Sequence, residues 1–287
     1  MKKIFAILAL CLPLMAAAGT NTNGIWVWSS HMNQVNLDEL KAKNIGNVIL
    51  HEVAFEKHGV DSTMAFIKAA EERGILVHIW FQCFYSGGKW VSPINDSTKW
   101  IRQEYYDSVI DRARKYVGYG VKAFHLDYIR YGGTAKKHNV SKHCTPTWSI
   151  TEFCRQFNAG VKGMNPDIII SAALMPEIES EQYYGQNPEQ MGEYVDILMP
   201  MIYRHSPSYK KLGPQWPVEA AKWFVEHSGN AQVWAGTTTY NGGEDVLKEL
   251  TAEEIVKDSE DFRGTGVKGV VLFRFGLGEI PSMPDIQ

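Results

Sequence analysis

The chain is short of cysteine, of long apolar runs and of positive charge. Four cysteines in 287 residues cannot staple a fold of this size. Cys144 and Cys154, ten apart, are the one pair the spacing offers, which leaves Cys83 a buried thiol. No internal stretch is long and apolar enough to span a bilayer, so no membrane anchor is expected. The formal net charge is -3, which argues against a nucleic-acid partner. No basic run invites an anionic membrane surface. A polymeric partner is therefore expected to be neutral, cationic or weakly charged. No Gly-x-Gly-x-x-Gly follows the first strand-like run, and no Gly-x-Ser-x-Gly elbow occurs anywhere.

The first residues do carry information. Lys2-Lys3, an apolar run from Ile4 to about Leu14, and Ala16-Ala17-Ala18 have the layout of a secretory leader. Cleavage is expected after Ala18, giving a leader over 1–18 and one domain over 19–287. Cys11 follows Leu10 rather than a small residue, so lipidation is not expected. The expected destination is the periplasm or the exterior of a bacterium. With the leader gone, the net charge becomes -5 and about 269 residues remain. That is an ordinary size for a single (β/α)8 barrel.

The remaining pattern supports that barrel. Strand-like runs occur at 24–29, 47–55, 75–84, 122–131, 168–175, 196–203, 232–240 and 269–275. Helix-like runs lie between them at 37–43, 61–73, 98–117, 149–164, 188–194, 218–227 and 252–262. The strands are mostly continuous apolar runs, as expected when both faces are buried. Strict alternation of strand and helix predicts parallel strands. Eight units predict a closed TIM barrel of α/β class. The chain ends soon after the eighth run, so the last helix should be short or missing.

In such a barrel the chemistry lies at the C-terminal ends of the strands. The most informative run is Phe124-His125-Leu126-Asp127-Tyr128-Ile129-Arg130-Tyr131, followed by Gly132-Gly133. Strand alternation puts His125 and Asp127 on one face and Phe124, Leu126 and Tyr128 on the other. The apolar set suits the helix layer, so Asp127 should face the barrel mouth. A carboxylate there, among aromatic side chains, suits glycoside hydrolysis, which needs two carboxylates flanking the bond. Glu177, just after the fifth run, is the expected partner. Glu52, inside the second run, is its rival, and its plainer reading is a buried acid paired with a cation. His78, Gln82, His125, Arg130 and Tyr203 are expected to orient substrate or tune Asp127. Trp28, Trp80 and Tyr240 could supply stacking surface. No metal or cofactor is expected. The first run, Trp26-Val27-Trp28, lacks the His-x-His of metal-dependent barrel hydrolases, and His138, His143 and Cys144 fit no zinc spacing.

Several segments also resemble the bacterial glycosyl-hydrolase-like 10 family (UPF0748/DUF187). Residues 68–84 resemble its segment in which a helix leads into a His-x-Trp strand with an amide near the end, here His78, Trp80 and Gln82. His125-Leu126-Asp127 with Tyr131, the run 196–203 and the run 233–240 resemble three further segments in the same order. The chain departs from the pattern at Gly132, where a Pro is usual, and at Tyr128, where a second Asp is common. The resemblance implies a (β/α)8 barrel acting on a bacterial polysaccharide, of the cell wall or an exopolysaccharide. Two other readings stand beside it: a barrel that binds glycan without cleaving it, which the departure at Tyr128 leaves open, and a metal-dependent polysaccharide deacetylase.

Overall fold

The computed structural model describes residues 21–242 and 247–287. The expected leader lies outside the described residues. Eight parallel strands close into one barrel. They are β1 (Gly24–Val27), β2 (Asn47–His51), β3 (Leu76–Gln82), β4 (Ala123–Asp127), β5 (Ile169–Leu174), β6 (Ile197–Pro200), β7 (Gln232–Thr238) and β8 (Gly269–Phe273). Each pairs with its neighbours in sequence, and β8 closes on β1 through Gly24 opposite Val271.

Helices fill the connections. Those that alternate with the strands are α1 (Leu37–Ala42), α2 (Val60–Glu71), α3 (Gln103–Tyr119), α4 (Pro146–Lys162), α5 (Pro188–Met191), α6 (Trp216–Glu226) and α7 (Ala252–Glu260), with single-turn helices also at Ala54–Lys57 and Glu181–Tyr184. Their starts follow local chemistry. Thr145 caps α4 by accepting from the Trp148 N–H, with Pro146 at the first helical position, and Thr251 and Glu254 form a capping box on α7. Among the described residues no helix follows β8. Instead the tail crosses back to the start of the barrel, where Met283 N–H donates to the Lys43 carbonyl at 2.9 Å. Met283 and Ile286 are buried there, within the main apolar core.

Alternation along the strands divides the core. Ile25, Val27, Leu50, Ile79, Phe81, Phe124 and Leu126 face the helices. Trp26, Ile49, Trp80, Met199, Trp234 and Val271 fill the barrel interior. Three indoles in one barrel need space elsewhere, and Gly236 provides it. A Cβ there would lie 3.3 Å from Cη2 of Trp26.

One expected helix starts later than the sequence pattern implied. Residues 98–101 belong to a hairpin rather than to α3. The β3–α3 connection contains two small hairpins, Tyr85–Ser86 with Lys89–Trp90 and Ile94–Asn95 with Trp100–Ile101. Ile94 and Ile101 are buried as a cross-strand pair, and that burial outweighs the helical tendency of the segment. The hairpins stand over the mouth.

A candidate active site at the barrel mouth

Asp127 ends β4, in register with Gln82 at the end of β3. The next residue, Tyr128, has φ of +50°, a left-handed conformation that costs a non-glycine residue about 1 kcal/mol or more. The turn aims the Tyr128 N–H at its neighbour, and it donates to Asp127 Oδ1 at 2.6 Å. The indole N–H of Trp80 donates to Oδ2 at 2.9 Å. Each carboxylate oxygen is therefore held by one fixed donor. Burial pushes the Asp127 carboxyl above its usual range, while the Tyr128 N–H, Arg130 and the Trp80 indole pull it back.

The same turn overturns part of the strand parity. Tyr128 does not join the helix layer. It stacks on Tyr85, with ring centroids 4.9 Å apart and planes at 19°, and lies 5.6 Å from Trp90. The hairpin thus contributes Tyr85 and Trp90 to an aromatic wall beside Asp127. Gly132 belongs to this arrangement, since a Cβ there would lie 2.6 Å from the Trp90 indole.

Glu177 follows β5. Two phenols donate to its Oε1, Tyr184 at 3.2 Å and Tyr209 at 3.0 Å. Its Oε2 has no partner and is shielded from solvent. Burial, then the charge of Glu177, pushes both phenols up, so both stay protonated as donors. Tyr209 is steadied by stacking on Trp216 at 5.0 Å, and it also lines a neighbouring cleft of about 430 Å³ with Arg204, His205 and Lys210.

The loops after β4 and β5 are sewn together. Gln186, only 3% exposed, donates to the carbonyls of Ile129 (3.2 Å) and Ala173 (3.0 Å) and accepts from the Met175 N–H (2.9 Å). The Tyr131 N–H donates to the Tyr184 carbonyl at 2.9 Å. These bonds tie the segment carrying Asp127 to the segment carrying Glu177. Arg130 lies where both carboxylates act on its guanidinium, as do Tyr184 and Tyr128.

Aromatic side chains form the floor of the mouth. Trp28 packs on Trp80 at 4.4 Å, and Tyr203 stacks on Phe273 at 5.7 Å. Tyr240 lies 6.4 Å from Phe273. Burial, then the nearby Asp127 carboxylate, pushes the Tyr203 phenol well up. His51 lies against both Trp28 and Trp80, and burial holds its ring down at about 4.

Other expected residues are placed differently. His78 and His125 are fully buried in the barrel interior, beneath the mouth. Their Nδ1 atoms lie 3.1 and 2.9 Å from Ser171 Oγ, and Nε2 of His78 lies 3.4 Å from Asn47 Oδ1. They brace β2, β3, β4 and β5 and cannot touch a substrate at the mouth. Glu52 forms an ion pair with Arg112 of α3 at 2.7 Å, so it does not stand beside Asp127 as a free carboxylate. Asp196 opens β6 at the opposite end of the barrel and pairs with Lys162.

Cys83, Cys144 and Cys154 are all free thiols, which overturns the expected pairing. Pro146 begins α4, and eight residues of helix rise about 12 Å, whereas a disulfide needs Cα atoms within about 7 Å. Among the described residues no cluster of His, Cys, Asp and Glu could hold a metal ion. His138 instead meets Asp96 at 3.0 Å and stacks on Tyr131. No helix among the described residues is long and apolar enough to cross a membrane.

The residues missed from sequence are Tyr184, Tyr209, Gln186, Tyr128 and Trp90. Each reaches the site through a loop, where no periodicity marks which way a side chain points. The Gly-rich turn after Tyr131 is the local signal that the sequence carries.

The chain is similar to known proteins in sequence family and in fold. The model of the DUF4015 family, described as "Putative glycosyl hydrolase domain", matches residues 51–231, which include both carboxylates. No curated protein matches the chain. Among solved structures, the spore cortex-lytic enzyme SleL of Bacillus megaterium has a TM-score of 0.61 at 11% identity, over 90% of this chain and 71% of its own. A chitinase from Rhizomucor miehei has a TM-score of 0.57 at 11% identity, over 88% and 94%. The chitinase domain of the spore coat protein CotE from Clostridium difficile has a TM-score of 0.53 at 12% identity, over 86% and 72%. At these identities the likeness is one of fold. The resemblance to the glycosyl-hydrolase-like 10 family holds only at the level of a glycosyl hydrolase domain.

Proposed function

We propose that this chain, which belongs to the DUF4015 family of glycosyl hydrolase domains, is an exported enzyme that cleaves O-glycosidic bonds in a bacterial polysaccharide. The observation that carries this reading is the pair Asp127, which ends β4, and Glu177, in the loop just after the adjacent β5, with the Gln186 and Tyr131 hydrogen bonds tying the two segments together. Asp127 is the nucleophile or the stabiliser of the oxocarbenium-like transition state. A donor on each oxygen favours its anionic form and fixes its direction. Glu177 is the acid. Two phenols donate to Oε1, which leaves Oε2, the oxygen with no protein partner, to pass a proton to the leaving group. Substrate has to open the shielded side of Glu177 to receive that proton. Trp28 and Tyr240 offer ring faces to the sugar, Gln82 and Tyr203 offer polar edges, and Trp80, buried beneath Trp28, acts through its hydrogen bond to Asp127 instead of by stacking. The leader-like residues 1–18 support export.

The test is release of new reducing ends from purified peptidoglycan and a panel of bacterial exopolysaccharides. Wild type should produce them. Asp127→Asn and Glu177→Gln should each lose a factor on the order of 10³ or more, as expected for members of one catalytic unit. Binding by all three proteins without product from wild type would make the barrel a glycan-binding module. Full activity in Asp127→Asn would remove Asp127 from the mechanism.

A further inference from the structure

Arg130 is the cation of the site, and its own bonding is incomplete. Its guanidinium carbon lies 4.5 Å from the Trp90 ring, 5.4 Å from Tyr184 and 5.7 Å from Tyr128. Three rings thus lie within 5.7 Å of the planar group. Nη1 donates to the Tyr131 carbonyl at 3.2 Å, while Nε is buried with no partner. Arg112 and Arg204, also half-buried, each sit on a carboxylate. Among the described residues Arg130 forms no ion pair within 4.0 Å, although it follows Asp127 by three residues and lies beside Tyr184, which donates to Glu177.

A guanidinium taken largely out of water without a counter-ion is costly, and the cost falls when a carboxylate takes up its free donors. Aromatic faces stabilise the charge but leave the edge of the fork unsatisfied. The fork is rigid and matches a carboxylate in two parallel bonds. Here it is preorganised by the rings rather than by a protein acid. A substrate carboxylate could not approach Asp127 unaided, because like charges would repel it.

Resting on the reading above, we propose that Arg130 anchors a carboxylate borne by the substrate, so that the sugar seated beside Asp127 and Glu177 is acidic, a uronate or a carboxyalkyl-ether sugar. The chain's net charge of -3 points to a neutral or cationic polymer. At the site it is outweighed, because charges beyond about 10 Å are screened and Arg130 is in contact.

The experiment compares glycans with their carboxyl-reduced forms. Oligogalacturonate and hyaluronan oligosaccharides supply uronates. Peptidoglycan strands freed of peptide supply a carboxyalkyl ether. Affinity is measured by calorimetry on full-length Asp127→Asn, with and without Arg130→Gln, and reducing ends are followed with wild type. At least one native glycan should bind about tenfold or more tightly than its reduced form, and which one does so separates the two sources of carboxylate. Arg130→Gln should bring that ratio close to one. Equal binding of native and reduced forms, no binding of any of the three, or a ratio untouched by Arg130→Gln would overturn the anchor. If Arg130→Gln fails to fold, the native-to-reduced ratio decides alone. A carboxylate preference without new reducing ends would keep the anchor and remove the hydrolase reading. New reducing ends from neutral polymers only would do the opposite.

Discussion

Replacing Trp80 by Phe probes the site through a single hydrogen bond. The indole N–H of Trp80 is one of two fixed donors to Asp127, at 2.9 Å. A hydrogen bond to a charged group contributes about 1.5–3 kcal/mol, so its loss should lower kcat by about ten- to a hundredfold where Asp127 acts as an anion. The direction of the pH effect also follows. Burial already raises the Asp127 carboxyl, and Trp80 is among the groups that counter it. Without that donor the carboxyl moves further up, and the acidic limb of the kcat profile shifts to higher pH. Phe keeps a ring against Trp28 and leaves a small void, which costs about 1–3 kcal/mol of stability. A denaturant midpoint measured beside the rates separates that loss from the catalytic one. Turnover is followed from about pH 4 to pH 9 for both proteins. An acidic limb that stays in place or moves downward, with kcat reduced, would refute the claim that the indole acts through Asp127.

Gln186→Leu removes three hydrogen bonds, one of them joining the β5 loop to the β4 loop, and should cost about 3 kcal/mol in a urea midpoint while lowering kcat/KM. A stable variant of undiminished activity would mean that the loops hold their places without it. Stability should also fall as pH drops from 6.5 towards 4. The ring of His78 is held at about 4 by burial, so over that window the unfolded chain takes up a proton that the folded chain refuses. The effect of this one residue reaches at most about 3 kcal/mol, and it vanishes above pH 6.5, where both states are neutral. Chemical unfolding of wild type and His78→Gln across this range should show a shallower slope for the variant. Equal slopes would count against a neutral, excluded imidazole.

The barrel was legible because its rule is local and repeated. A continuous apolar run between two helical runs can be buried on both faces only as a parallel strand, and eight such units close. The same alternation carried Asp127 to the mouth correctly while the strand lasted. It failed one residue later, at Tyr128, where φ turns positive and the period of two no longer applies. It also could not say how deep a residue lies. His78, Trp80 and Gln82 share one face of β3, yet only the last two reach the mouth, and His78 lies a further two residues down inside the barrel. The cysteine spacing misled because ten residues read as close in sequence become a separation of two helical turns once Pro146 starts α4.

What alternation cannot supply is the relation between the two carboxylates. Asp127 is fixed by β4, but Glu177 lies beyond the end of β5, where the barrel imposes no direction on the chain. Its position depends on Tyr209 from the loop after β6, Tyr184 from its own loop, and Gln186 reaching across to Ile129. None of these contacts has a sequence period, and each links residues from different loops or across a turn. Yet they decide whether two acids on neighbouring strands face one bond. The barrel thus provides the first carboxylate almost automatically, while the second is a product of loop chemistry. Substitutions at Tyr184, Tyr209 or Gln186 should therefore change catalysis before they change the fold, because the strands beneath them pair without their help.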